Sequence, residues 1–229
     1  MLALPFTGPW LVQNSPARRV PSHGSELLGE RYAIDFVAVD DRRRTAAVRD
    51  WRTALATEPA QRFYAFGRPV LAPADAVVVA VHDGEPDHVA RRSQLALLPY
   101  ALGQPARVRA GIGAVAGNHV MLGLDDESVY VALVHLRDGS VRVRAGDRVV
   151  LGQQLAECGS SGNSTLPHVH VQAMDSPDVA VARGLPVEFR DYRQWLRRGE
   201  RRDVVRGIPD ERAVVEPQTP GQPGSQSRR

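Results

Sequence analysis

The stretch "STLPHVHVQ", residues 164–172, sets His168 and His170 on either side of Val169, in an apolar run that follows a turn-rich "CGSSGN". Side chains alternate faces along a strand, so the two histidines share one face while Val169 and Val171 share the other. Two imidazoles on one face can hold a metal ion or pass protons to a bound group. The same alternation also describes any half-exposed strand, so other residues must decide.

Metal chemistry asks for a third ligand, because zinc in a hydrolytic site takes three protein ligands from His, Asp and Glu and keeps one position open. Upstream, "PSHGSELLGERYAIDFVAVD" offers His23 on a Pro-Ser-His-Gly turn and Asp35 inside a strand-like "YAIDFVAV". A carboxylate between Ile34 and Phe36 needs a partner, and an arginine would serve as well as a metal. His135 closes the apolar run "VYVALVHL" just before a Gly-containing turn. It reads equally as a reactive group and as a core histidine satisfied by one backbone hydrogen bond.

The elements that must position these residues are mostly short strands. "VLAPADAVVVAV" (70–81) reads as strand, turn, strand, and "NHVMLGL" (118–124), "VYVALVHL" (129–136), "VRVRAGDRVV" (141–150) and "HVHVQAM" (168–174) as further strands separated by Gly, Asp, Asn and Ser. The expectation is a mainly β fold, an antiparallel sheet or sandwich core forming a groove, with short helical insertions. "TAAVRDWRTALA" (45–56) has helical spacing, with Val48, Trp51 and Leu55 on one face, and "RSQLALLPYAL" (92–102) is an apolar helical run interrupted by Pro99. Residues 83–117 form a long connection of the kind that often covers a binding site. One domain is expected over 1–199, with its core at about 20–175 and a disordered polar tail over 200–229, where Pro and Gly accumulate.

Composition removes several classes of function. All 29 basic residues are arginine, so Schiff-base chemistry, a lipoyl or biotinyl lysine and a P-loop lysine are excluded. The single Cys158 excludes an internal disulfide and any Cys-based zinc cluster. A net charge of +3 with acids spread among the arginines gives no nucleic-acid footprint. No apolar run reaches the roughly 18 residues of a transmembrane span. The opening "MLALPFTGPWLVQNSPARR" lacks a basic start and a continuous apolar stretch, so the sequence as given reads as cytoplasmic by default. Oligomeric state has no signal in the sequence.

Taken in order, "VHLRDGSVRVRAGDRVVLGQQLAECGSSGNSTLPHVHVQ" resembles the C-terminal half of the lysostaphin-type zinc metallopeptidases. That pattern is a His-Leu strand, a Gly-X-X-Val-X-X-Gly-Gln hairpin, a Gly-X-Ser-Gly turn and a closing His-X-His. "RPVLAPADAVVVAV" and "GNHVML" look like the family's intervening strands, so the likeness spans roughly residues 20–175. The resemblance implies a groove-forming antiparallel β-core holding one zinc ion, with His23, Asp35 and His170 as ligands and His135 and His168 as unligated catalytic histidines. It implies hydrolysis of peptide bonds by zinc-activated water, with peptidoglycan as substrate, and hence a place in the cell envelope or outside the cell. Two departures stand out. His23 lies twelve residues before Asp35 where the family's spacing is four, so a loop must fold back, with His82, His88 and His119 as substitutes. Leu166 replaces the glycine common before Pro-His-X-His. A catalytically silent relative using the groove to bind a partner is the alternative. A carrier-domain reading of the hairpin "VRAGDRVVLGQQLAE" fails for want of a lysine.

Overall fold

Residues with β-branched and aromatic side chains at alternate positions pair here into one large antiparallel sheet. The structure, a computed structural model, describes residues 1–93, 95–97, 115–124, 128–196 and 199–218. Its strands are β1 (Trp10–Gln13), β2 (Ile34–Ala38), β3 (Pro69–Leu71), β4 (Ala76–His82), β5 (Asn118–Leu124), β6 (Val129–Leu136), β7 (Arg148–Val149), β8 (Gln154–Glu157), β9 (Val169–Met174), β10 (Gly184–Leu185), β11 (Phe189–Trp195), β12 (Arg201–Gly207) and β13 (Val214–Pro217). The main sheet runs β12-β11-β13-β1-β2-β9-β6-β5-β4-β7, with β10 paired to β9 and a separate β3-β8 ribbon. Among the described residues helix is confined to short pieces, so the fold is mainly β.

Alternation sorts each strand between two faces. Trp10, Val12, Ile34, Phe36, Val131, Leu133, Val169 and Val171 go to the main core, which the β3-β8 ribbon covers with Val70, Leu155 and Ala156. Phe6 stacks on Trp10 at 4.5 Å between ring centroids, tying the N-terminal segment to the same core. The opposite face of the central strands carries Asp35, Ala132, Val134, His170, Gln172 and Met174, and this is the face that builds the site.

Several expectations are corrected. The ordered sheet does not stop near Gly199: β12 and β13 lie beyond it, and β13 places Val214 and Val215 in the interior, between β1 and β11. Polar composition misled there because β11 and β12 form an exposed arginine-rich hairpin whose charges pair across it, as Arg193 does with Asp203. Residues 219–229 lie outside the described residues.

The helix expected over 45–56 is only α1, Trp51–Leu55. Ala46 is instead drawn into a bridge with Phe63, and the helix starts only where Asp50 caps it by accepting from the Arg52 N–H at 3.0 Å. Its apolar face is turned to solvent, with Trp51 63% exposed. The strand expected over 141–150 survives only as β7, because a turn at Arg144–Asp147 replaces a continuous ladder with single hydrogen bonds such as Arg142 N to Leu155 O. Most of the 92–102 segment and the middle of the 83–117 connection lie outside the described residues.

Candidate active site

β2 and β9 are neighbours, and their register sets Asp35 directly opposite His170. His170 Nδ1 lies 3.0 Å from Asp35 Oδ1. His23 reaches the same carboxylate from the long loop before β2, its Nε2 3.1 Å from Oδ2. That loop folds back as the twelve-residue spacing required: Ser22 N donates to Arg31 O at 3.0 Å, closing the excursion at its base. A short 3-10 stretch, Leu27–Tyr32, then lies over β9 with Leu28 and Gly29 at positive φ. Only glycine fits at position 29, since a Cβ there would come within 2.7 Å of the Met174 sulfur.

The hydrogen-bond partners assign the imidazole tautomers. The Gln172 carboxamide nitrogen donates to Leu28 O at 2.8 Å, an atom that can only accept, so Oε1 is the end that faces His170 Nε2 at 2.8 Å. His170 therefore carries its proton on Nε2 and presents Nδ1 to Asp35. Ser22 Oγ lies 3.1 Å from His23 Nδ1 and 3.4 Å from Glu30 O, which holds the His23 ring with Nε2 toward Asp35. Two imidazoles and a carboxylate thus converge, with one ligand atom from each of His23, Asp35 and His170 within 4.8 Å of the others. The His, Asp, His donor set suits zinc.

The electrostatics agree with a cation-seeking cluster. Burial works to raise the Asp35 pKa, but the neighbouring His168 and His23 and hydrogen bonds from His170 and His23 hold it well below the usual carboxylate range. Burial likewise opposes charge on His170, yet its hydrogen bond to Asp35 and that carboxylate's charge raise its pKa overall. Asn14 Nδ2 donates to Asp35 Oδ2 at 2.7 Å and orients the carboxylate.

His168 stands just ahead of β9 but keeps the face of His170, with Nε2 3.6 Å from Asp35 Oδ1. Its Nδ1 donates to Leu166 O at 2.8 Å, so the residue at the family's glycine position serves through its carbonyl, and Nε2 is left with a lone pair. His135 reaches the same place by a different route. Strand alternation would send it into the core beside Val131 and Leu133, but it takes φ 64°, opposite a β5–β6 register shift at Asn118/His119, and turns to the groove. His is among the residues that tolerate this conformation best. Its Nδ1 donates to Ser161 O at 2.9 Å, again freeing Nε2, and its ring centroid lies 4.7 Å from that of His168. The Gly-Ser-Ser-Gly turn that supplies this carbonyl packs so closely that a Cβ on Gly162 would lie 2.4 Å from Gly117 N. Burial is the largest influence on both rings: it lowers the pKa of His168 and takes that of His135 well below the ordinary value.

These five side chains open into a groove of about 270 Å³. Its lining mixes apolar residues, Met121, Ala132, Val134 and Val179, with polar ones, Asn14, Ser25, Glu30 and Gln172. Of the proposed substitutes for His23, His119 lines the groove wall with Nδ1 donating to Gly117 O at 2.8 Å. His82 stacks on His119 at 5.6 Å outside the cluster, and His88 contributes its backbone N–H to Ser160 O. Asn14 and Gln172 are the residues sequence reasoning missed. Gln172 had a signal, standing two positions beyond His170 on the same strand face; Asn14 had none, being a turn residue 21 positions from its partner.

A sequence model described as Peptidase family M23 matches residues 101–182, a segment that holds His135, His168 and His170. Among solved structures the chain is similar to the catalytic domain of the prophage-encoded M23 protein EnpA from Enterococcus faecalis, at 19% identity over 67% of this chain and 73% of that one, with a TM-score of 0.38. It is similar to the lysostaphin catalytic domain from Staphylococcus simulans at 21% identity over 67% and 74%, TM-score 0.38. A zinc-containing peptidase from Vibrio cholerae aligns at 16% identity over 67% and 45%, TM-score 0.34. The likeness rests on that matched segment and not on these distant alignments, and by it residues 101–182 are similar to peptidase family M23.

Proposed function

We propose that this chain is a zinc-dependent endopeptidase that hydrolyses peptide bonds in bacterial peptidoglycan. The observation that carries the reading is the convergence of one ligand atom each from His23, Asp35 and His170 to within 4.8 Å in the lining of a groove. His23, Asp35 and His170 would hold the ion. Zinc in such a site supplies Lewis acidity, polarising a carbonyl oxygen and lowering the pKa of water toward neutrality.

The remaining chemistry belongs to two imidazoles. With Nδ1 of each committed to a backbone carbonyl, His168 and His135 both start as proton acceptors at Nε2. His168, nearer Asp35, takes the proton from the attacking water and in its protonated form returns it to the leaving amine. His135 holds a second acceptor beside it and orients the water. Asn14 and Gln172 keep Asp35 and His170 in place, and the apolar part of the lining at Met121, Ala132 and Val134 keeps that part of the groove dry. Work on peptidoglycan would place the protein in the cell envelope or outside the cell.

The direct test is digestion of purified peptidoglycan by the zinc-loaded protein, with and without a chelator, reading new amino termini by mass spectrometry. Chelator-sensitive termini support the endopeptidase. No cleavage together with no bound zinc would favour a silent binding module.

A further inference from the structure

The chain has 29 arginines and no lysine, yet no arginine lines the groove among the described residues. Two acids do, Asp35 and Glu30. Asp35 is taken up by His23, His170 and Asn14. Glu30 is different: no hydrogen bond or ion pair reaches its carboxylate among the described residues. The adjacent Arg31 does not neutralise it, because that guanidinium is bound to Glu26 and lies over the Tyr32 ring.

The backbone that carries Glu30 is tied down. Its carbonyl accepts from Ala33 N at 3.0 Å, and the turn before it is fixed by Gly29 against Met174 and by Gln172 on Leu28 O. It is close enough for its charge to act on His170. A carboxylate left unpaired among the described residues of a groove whose described lining holds no arginine is a charge awaiting a ligand, and a cation there would gain a charge-assisted hydrogen bond.

We propose that Glu30 forms an anionic subsite of the groove that receives the ammonium group of an amine-bearing peptide substrate. The apolar part of the lining, at Met121, Ala132 and Val134, then takes a small aliphatic residue of the same peptide. The inference rests on the peptidase reading of the site and deepens it: the substrate is a peptide with a free primary amine near the bond that is cut.

The experiment compares peptidoglycan rich in free amines in three forms: untreated, reductively dimethylated so that the positive charge is kept, and acetylated so that it is removed. The expected result is chelator-sensitive cleavage of the first two with kcat/KM about tenfold or more above that of the acetylated wall, the effect of one charge-assisted hydrogen bond. Glu30→Gln, with zinc content measured alongside, should keep its zinc while the ratio collapses toward one. Equal cleavage of charged and acetylated walls by the unaltered protein, or an unchanged ratio in E30Q, overturns the subsite and leaves the peptidase reading standing. Loss of zinc from E30Q would make Glu30 a metal ligand instead and also overturns it. No cleavage of any form overturns the peptidase reading, and the subsite with it.

Discussion

The carboxamide of Gln172 ties His170 to Leu28, accepting from the imidazole Nε2 at 2.8 Å and donating to the Leu28 carbonyl at 2.8 Å. The amide can be placed only one way round, because reversing it would set its oxygen against the Leu28 oxygen and the Met174 sulfur. One side chain therefore fixes which nitrogen of His170 faces Asp35 and holds down the turn that carries Glu30. Gln172→Met is expected to weaken zinc affinity by about 10- to 100-fold, the usual effect of losing a partner that orients a metal-bound histidine. Gln172→Glu retains the acceptor and should recover most of that loss. Competition with a chromogenic chelator measures both, and equal loss in the two variants would reduce Gln172 to a packing role.

His170→Ala and His168→Ala should separate ligand from proton carrier. The first is expected to lose zinc and cleavage together. The second should bind zinc normally while kcat falls by about 10²- to 10⁴-fold, the range of general acid–base catalysis. Metal analysis beside single-turnover cleavage checks this, and a normal rate in H168A would remove the role assigned to His168.

His135 combines a chemical and a conformational demand, since its imidazole is wanted in the groove and its backbone sits at φ 64°. Asn tolerates that backbone and Val does not. His135→Asn is expected to keep its melting temperature and lose cleavage, whereas His135→Val should lose both, with a destabilisation of about 1–3 kcal/mol from the strained residue. Thermal denaturation of the two variants distinguishes the demands.

Glu58, fully buried, is clasped by Arg92 through contacts of 2.5 and 2.7 Å, while Ala90 and Glu58 exchange backbone hydrogen bonds. The Arg92 hydrogen bond is the chief reason that the Glu58 pKa is lowered. A carboxyl depressed in the folded state contributes stability above its unfolded pKa, near 4.5 here, and loses it as pH falls through the folded value. Stability should therefore drop below about pH 4.5, and Arg92→Met, which leaves the buried carboxylate only Thr53 at 3.3 Å and Arg62 at 3.6 Å, should cost about 1–3 kcal/mol at neutral pH. Denaturant titrations across pH 3–7, an interval chosen to bracket the ordinary Glu range, check both. A pH profile unchanged in R92M would mean that Glu58 has no part in the acid limb.

Val215 is buried on β13 opposite Trp10. Val215→Ala should cost about 1–3 kcal/mol through lost burial and the cavity left behind, and the unfolding transition should remain single. A surface-like change below about 0.5 kcal/mol would contradict the place of β13 in the sheet.

Much of the site was legible because it is written in local pattern. Asp35, His168 and His170 lie in or beside strands whose period-two alternation shows on which face each stands, and the central strands β4, β5, β6 and β9 carry the apolar runs expected of buried neighbours. His23 needed more, since only a tertiary closure between Ser22 and Arg31 cancels its distance from Asp35. His135 was ambiguous for a physical reason: alternation argued for the core, and one residue of left-handed backbone reversed it. The C-terminal strands were illegible because β12 is exposed on most of its length and its arginines gain their partners only across the hairpin. Composition describes such a strand as solvent-loving, and pairing makes it structural.

The place of β13 bears on how the molecule avoids self-association while it forms. β1 and β2, with Asp35, can pair as soon as they are made, but the far side of β1 then presents unbonded backbone N–H and C=O groups around a large apolar residue, Trp10. Such an edge is a template for another chain. It stays open until the strand near residue 215 arrives, and β13 is in turn shielded by the charged β11–β12 hairpin. The strands of residues 189–217 thus act as a guard for β1, and a slow or interrupted translation of that stretch would leave the preceding sheet folded with an adhesive flank.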